Sequence, residues 1–291
     1  MEKPDFNNPY FDRLVGISSE SERQEEELAA INTIEELGGK KIEEFEIEKT
    51  PRDIELLKFA EDSVRAVLQK YGRKKEIQVP LNNIHVLVAG GTKKSFDGSI
   101  DGAHFSLSGS VVVDRFLSDI KFTTTAFHEL MHLLSYKALQ LSVGEKKEDE
   151  EIIPYRVGIK VYSRDGEKRY FEVFDEAIVG LLEKGFYEDV IRKSDLFREE
   201  LEKNPDFKLV LNRQPELDDL NMLVDELWSR NNEQFSDREQ IVDMFVEAHV
   251  NGHLLKIGRL IESTFGKGSF RDFADDADSY EDKGGVESKA E

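Results

Sequence analysis

The chain has 291 residues, with 40 Lys and Arg set against 61 Asp and Glu, six His and no Cys. A net charge of −21 argues against nucleic acid or an anionic membrane surface as a partner, because phosphate contact needs clustered cations. The absence of cysteine removes disulfides, thiolate–zinc sites, iron–sulfur ligation and cysteine nucleophiles together. The opening MEKPDFNNPYFDRL carries acids where a signal peptide needs a cationic start and an apolar stretch, and no window approaches the ~20 apolar residues of a membrane span. The sequence therefore predicts a soluble, cytoplasmic protein.

Residues 1–46 read as an acidic extension, either a solvated arm or an autoinhibitory or partner-binding segment. It contains one short helical stretch, EEELAAINTIEEL, stopped by Gly38 and Gly39. Pro51 then opens an amphipathic helix through Ile54, Leu57, Phe59, Val64 and Leu68, ending near Tyr71 and Gly72. IQVPLNNIHVLVAGG holds a strand, and AHFSLSGSVVVD a second extended segment containing Val111, Val112 and Val113. TTTAFHELMHLLSYKALQ reads as a helix, VGEKKEDEE as a charged loop, and YRVGIKVYSRDGEKRYFEV as a hairpin about Asp165 and Gly166. Helices are expected over 174–184, 187–203, 216–230 and from about 237 to 264. The acidic tail from Gly268 to Glu291 is expected to be disordered beyond Phe273. These readings give an α+β domain over 47–267, a small sheet with its helix followed by a mainly helical half, flanked by acidic ends.

The segment from Ala126 to Leu139 is apolar nearly all round and belongs in the interior, yet it carries His128, Glu129 and His132. Residues at i and i+4 lie one above the other on a helix, so His128 and His132 can share one metal ion. Glu129 sits beside them, placed to take a proton rather than to ligate. The string His128-Glu129-Leu130-Met131-His132 is the HExxH motif of zinc peptidases. A catalytic zinc commonly takes three protein ligands, and without cysteine the third must be a carboxylate or another His. Glu176, inside the apolar helix FDEAIVGLL, is the better candidate, because Ala177, Ile178 and Leu181 draw its face inward. Asp175 is the near competitor, read as an acid at the helix N-terminus facing water.

HELMH followed by FDEAIVGLLEKG resembles the gluzincin group of zincin-fold metallopeptidases, the thermolysin-like arrangement. The resemblance implies a zincin-like fold, one zinc per chain on His128, His132 and Glu176, and Glu129 as general base. It also implies an edge strand before the active-site helix, a place held by His104–Asp114, which would bind extended substrate by strand addition. Many members carry an Asp four residues after the ligand Glu to orient the first His. Here that position is Gly180, so the histidines need another support: Asp175, Glu172 or a backbone carbonyl. HELMH with a nearby helical Glu is also similar to metallopeptidases that cleave cytoplasmic transcriptional repressors, whose ligand spacing is generally shorter.

The expected activity is zinc-dependent hydrolysis of peptide bonds in a peptide or protein substrate, with the acidic surface favouring basic ones. The alternatives are a metal-binding but non-catalytic acidic interaction scaffold, and a zinc amidohydrolase acting on a non-peptide amide. A second donor for the oxyanion could come from Tyr170, Tyr155, Arg156, His249 or His253. His249 and His253, again at i and i+4, read first as partly exposed helix residues beside Gly252, where another helix packs closely. A role in the cleft or in a separate metal site is the alternative. His85 reads as structural and His104 as bordering the cleft.

Overall fold

A computed structural model describes residues 11–16, 42–73, 78–96, 101–106, 108–141, 152–205, 207, 209 and 213–276. In chain order the elements are β1 (Arg13–Val15), α1 (Pro51–Lys70), β2 (Ile84–Leu87), α2 (Gly91–Phe96), β3 (Gly102–Phe105), β4 (Ser110–Asp114) and α3 (Asp119–Leu134). There follow β5 (Lys137–Leu141), β6 (Ile152–Val157), β7 (Lys160–Tyr162), β8 (Arg169–Tyr170) and α4 (Glu172–Asp189). The last are α5 (Arg198–Lys203), α6 (Gln214–Arg230), α7 (Glu239–Asn251), α8 (Leu254–Phe265) and α9 (Ser269–Asp276). The result is a mixed α+β architecture with two small sheets and a mainly helical C-terminal half.

α1 starts where Thr50 caps it. The Thr50 hydroxyl accepts from the Asp53 amide, and the Asp53 carboxylate accepts from the Thr50 amide, a reciprocal box that satisfies two otherwise orphaned donors. Its inner stripe of Leu56, Leu57, Ala60 and Val64 is fully buried against the core shared with α3. Truncating any one of those leucines to Ala costs about 2–5 kcal/mol. Arg115 ties the two helix starts together, donating from Nε to Asp53 at 2.6 Å and from a terminal nitrogen to Asp119 at 2.6 Å.

The first sheet has the order β2-β4-β3, with β2 parallel and β3 antiparallel to β4. β4 is thus the central strand, buried along its whole length, and the edge falls to β3. Of the segment His104–Asp114 expected as an edge strand, only the His104 end lies at the edge. The second sheet runs β1-β5-β6-β7-β8. β1 comes from the segment read as an N-terminal extension. It pairs in parallel with β5 and buries Phe11 and Leu14 against Leu139. The expected helix over EEELAAINTIEEL and the charged loop VGEKKEDEE lie outside the described residues.

Several element boundaries differ from those the sequence predicts. The helix bearing HELMH stops at Leu134, and Lys137–Leu141 is a strand between β1 and β6 instead of a helical continuation. Ser135 and Tyr136 make the turn: the Ser135 hydroxyl donates to the His132 carbonyl, and the Tyr136 amide to the His249 carbonyl. The stretch 187–203 is broken by two short 3₁₀ turns at Ile191–Lys193 and Asp195–Phe197 before α5. The long final helix is split at Gly252, which ends α7 in the left-handed region at φ +80°. What packs closely there is the ring of Tyr136, 2.6 Å from where a Cβ would stand. Beyond residue 267, α9 sets Phe270 against Phe171, with ring centroids 4.8 Å apart, and buries Ala274, so the core reaches into the segment read as tail.

Candidate metal centre

α3 is held at both ends and buried between. Ser118 caps it by accepting from the Lys121 amide. The Glu200 carboxylate of α5 accepts from the amides of Asp119 and Ile120 at 3.0 and 3.2 Å, placing negative charge at the helix N-terminus. Ile120, Phe122, Ala126, Phe127, Leu130 and Met131 are fully buried, so the helix cannot rotate without exposing a core face. That fixes where His128 and His132 point.

α4 supplies the carboxylates. Its entry is Phe171, the one non-glycine residue with positive φ (61°) among those described, a conformation costing about 1–2 kcal/mol. The turn there aims the first helical turn at α3. Glu176 Oε2 lies 3.3 Å from His128 Nε2, Glu176 Oε1 lies 3.5 Å from His132 Nε2, and the two Nε2 atoms are 3.2 Å apart. One donor atom from each of the three residues falls within 4.8 Å of the other two, the only such His/Asp/Glu group among the described residues. Two imidazole nitrogens and a carboxylate oxygen form a donor set suited to a divalent cation such as zinc.

The other faces of both imidazoles meet carboxylates as well. His128 Nδ1 donates to Glu183 Oε2 at 3.1 Å. His132 Nδ1 and Asp175 Oδ2 are 3.2 Å apart, close in distance but off the hydrogen-bond line. With the hydrogens on Nδ1, both Nε2 lone pairs face the cluster, as ligation requires. The departure at Gly180 is thus met by Glu183, seven residues after Glu176 and on the same face of α4. Asp175 is not a surface acid: it is fully buried, because the β6–β7 turn and the docked α7 enclose it. Its Oδ1 accepts from the Ile159 amide and from His249 Nδ1, each at 2.8 Å.

Electrostatics follow from this crowding. Burial disfavours a charged His128, but Glu176 and Glu183 outweigh it and hold the imidazole well above its ordinary value. Burial likewise opposes charge on His132, yet Glu176 and Asp175 raise it to about 8. Glu176 and Asp175 are held low in turn: burial would raise them, and the adjacent histidines prevail.

Glu129 lies beside the cluster, with its carboxylate accepting from His104 Nδ1 at 3.3 Å. His104 reaches in from β3 and stacks on His132, centroids 4.7 Å apart and planes 17° from parallel, so it does border the site. Burial pushes His104 down to about 4 against the pull of Glu129. Glu129 is kept ionised, because the His104 hydrogen bond and the neighbouring imidazoles overcome the opposing effect of burial.

The remaining histidines and candidate donors separate clearly. His249 is fully buried on Asp175, not partly exposed, because α7 packs directly on α4 and the β6–β7 turn. His253 is half exposed and donates to Glu247 at 2.9 Å, so the two do not converge. Arg156 is committed to the backbone, donating to the carbonyls of Gly158, Gly252 and Ala248. Tyr170 stands in β8 opposite Val161, Tyr155 in β6, and His85 donates to Glu46, which bridges onto the outer edge of β2, at 2.9 Å. Two cations near Glu176 had no sequence signal: Arg213 Nε, 3.6 Å from its Oε2, and Lys160, buried and paired with Glu172 at 3.2 Å. Glu183 did have one, since a two-turn spacing on an apolar helix puts it over Glu176.

No protein-family model, curated protein or solved structure matches the chain. The functional reading therefore rests on the geometry of the cluster and the motif that builds it. No described helix is long and apolar enough to cross a membrane.

Proposed function

We propose that the chain is a zinc-dependent peptidase of the gluzincin kind, with a zincin-like fold, in which His128, His132 and Glu176 hold the zinc and Glu129 is the general base. The observation that carries this is the convergence of three donor atoms within 4.8 Å, with the acid of the HExxH string beside them on the same buried helix. Zinc bound there supplies Lewis acidity toward a carbonyl oxygen and toward water.

The chain's own groups do the rest. Glu129, ionised and held by His104, accepts the proton of the attacking water and returns it to the leaving nitrogen. Glu183 and Asp175 keep the imidazole hydrogens on Nδ1. β3, at the edge of its sheet and against α3, offers backbone groups to an extended substrate segment. The net charge of −21 favours encounter with basic segments.

The test begins with metal content by mass spectrometry on untagged protein. About one zinc per wild-type chain, lost or loosened in Glu176→Ala, supports the three-ligand site. Glu129→Gln should retain the metal and lose about 10²–10⁴ of the rate on a quenched-fluorescence peptide library. A wild type that refuses added zinc would end the reading. A zinc-loaded wild type inert on every peptide would turn it toward a scaffold or another amide.

A further inference from the structure

His249 is about two-fifths of the chain length away from HELMH, yet it is joined to the second candidate ligand through one carboxylate. Asp175 Oδ1 takes two donors, the Ile159 amide and His249 Nδ1, while Oδ2 has no hydrogen-bond partner among the described residues and lies 3.2 Å from His132 Nδ1. The two bonds to Oδ1 leave Oδ2 facing His132 Nδ1, whose N–H the buried carboxylate attracts by charge at that distance. His249 Nε2 is also buried with no hydrogen-bond partner among the described residues. The tautomer with its hydrogen on Nδ1 is thus the one that orphans no N–H. The β6–β7 turn closes the arrangement: Gly158 has φ +58°, and a Cβ there would overlap Asp175 Oδ1 and His249 Nδ1.

We infer that His249 is a positioning residue of the metal centre, acting through Asp175 to hold the hydrogen of His132 on Nδ1 and its Nε2 lone pair toward His128 and Glu176. The inference rests on the peptidase reading for the metal and deepens it. It makes the C-terminal helix α7 part of a site whose ligands all lie on α3 and α4. A substitution on α7, with no group near the cleft mouth, then changes metal affinity. The Asp175–His249 pair is a second support, independent of Glu183, which serves only His128.

The experiment uses the full chain and zinc itself, titrated against a chromophoric chelator. His249→Leu keeps the volume and removes the donor, whereas His249→Asn places an amide N–H near the position of Nδ1. Expected is a 10- to 100-fold loss of zinc affinity in the Leu variant, with the Asn variant recovering to within about threefold of wild type. Equal weakening of both variants would mean that packing alone matters, and would overturn the inference. So would a Leu variant that binds as wild type does, although the peptidase reading would then stand. A wild type without zinc affinity would overturn both.

Long-range ¹H–¹⁵N correlation spectra of the histidines give a second readout that depends on no variant folding. These spectra are taken on metal-free wild type at a pH high enough to strip the imidazoles of their second proton. Hydrogen on Nδ1 of both His132 and His249 is the expected result, and hydrogen on Nε2 of His132 would refute the inference.

Discussion

Replacing Glu183 isolates the support of His128, because this side chain is positioned on the far side of the imidazole from the cluster. The contact is 3.1 Å, with side-chain exposures of 16% for His128 and 13% for Glu183, so water competes little for either group. A hydrogen bond to a charged acceptor contributes about 1.5–3 kcal/mol. At 1.36 kcal/mol per decade, its full loss in the bound state corresponds to about 10- to 150-fold in affinity. Glu183→Gln keeps an amide oxygen to accept from Nδ1 and gives up only the charge, so it should lose about tenfold or less, whereas Glu183→Ala should lose about 30- to 100-fold. Competition against a chelator of known affinity measures both. If the Ala variant holds zinc as firmly as wild type, His128 is oriented by the packing of α3 alone, and the argument from Glu183 is wrong.

Chelation should lower the melting temperature by about 5–10 °C, given about 2.7 kcal/mol of linkage at a hundredfold excess of zinc over Kd, with recovery on zinc addition; a melt indifferent to chelator contradicts a site this deeply buried. Gly252→Ala should cost about 2–4 kcal/mol, from the left-handed backbone and the overlap with Tyr136, and a melt unchanged from wild type would show that α7 can end otherwise. Burial alone would raise Asp53, but hydrogen bonds from Thr50 and Arg115 hold it below the usual carboxylate range. Its folded value being depressed, its stabilisation is present above about pH 4 and is lost as pH falls through the folded value. Asp53→Asn should therefore destabilise by about 1.5–3 kcal/mol at neutral pH and less in acid, a difference that denaturant titrations at two pH values would detect.

Much of this protein is legible in the sequence because it depends on local periodicity. The i, i+4 spacing alone puts His128 and His132 on one face of a helix, and an apolar helix alone makes a lone Glu176 need a partner. The α1 stripe, the hairpin about Asp165 and the helical second half follow from patterns of 2 and 3.6 residues. Where pairing partners are distant, local pattern misleads. SYKALQL has the composition of a helix and becomes a strand because β1 and β6 lie on either side of it. Asp175 reads as a helix-start acid because that is where it stands, and only the docking of α7 and the 158–159 turn buries it. Residues such as His249, Glu200 and Arg213 acquire their contacts from elements tens of residues away, which no window contains. The sequence by itself determined two donors of the candidate metal cluster, since His128 and His132 need only residue types at helical spacing. The tertiary structure decided what supports it, because orienting an imidazole takes a carboxylate on its other side, and only folding delivers one.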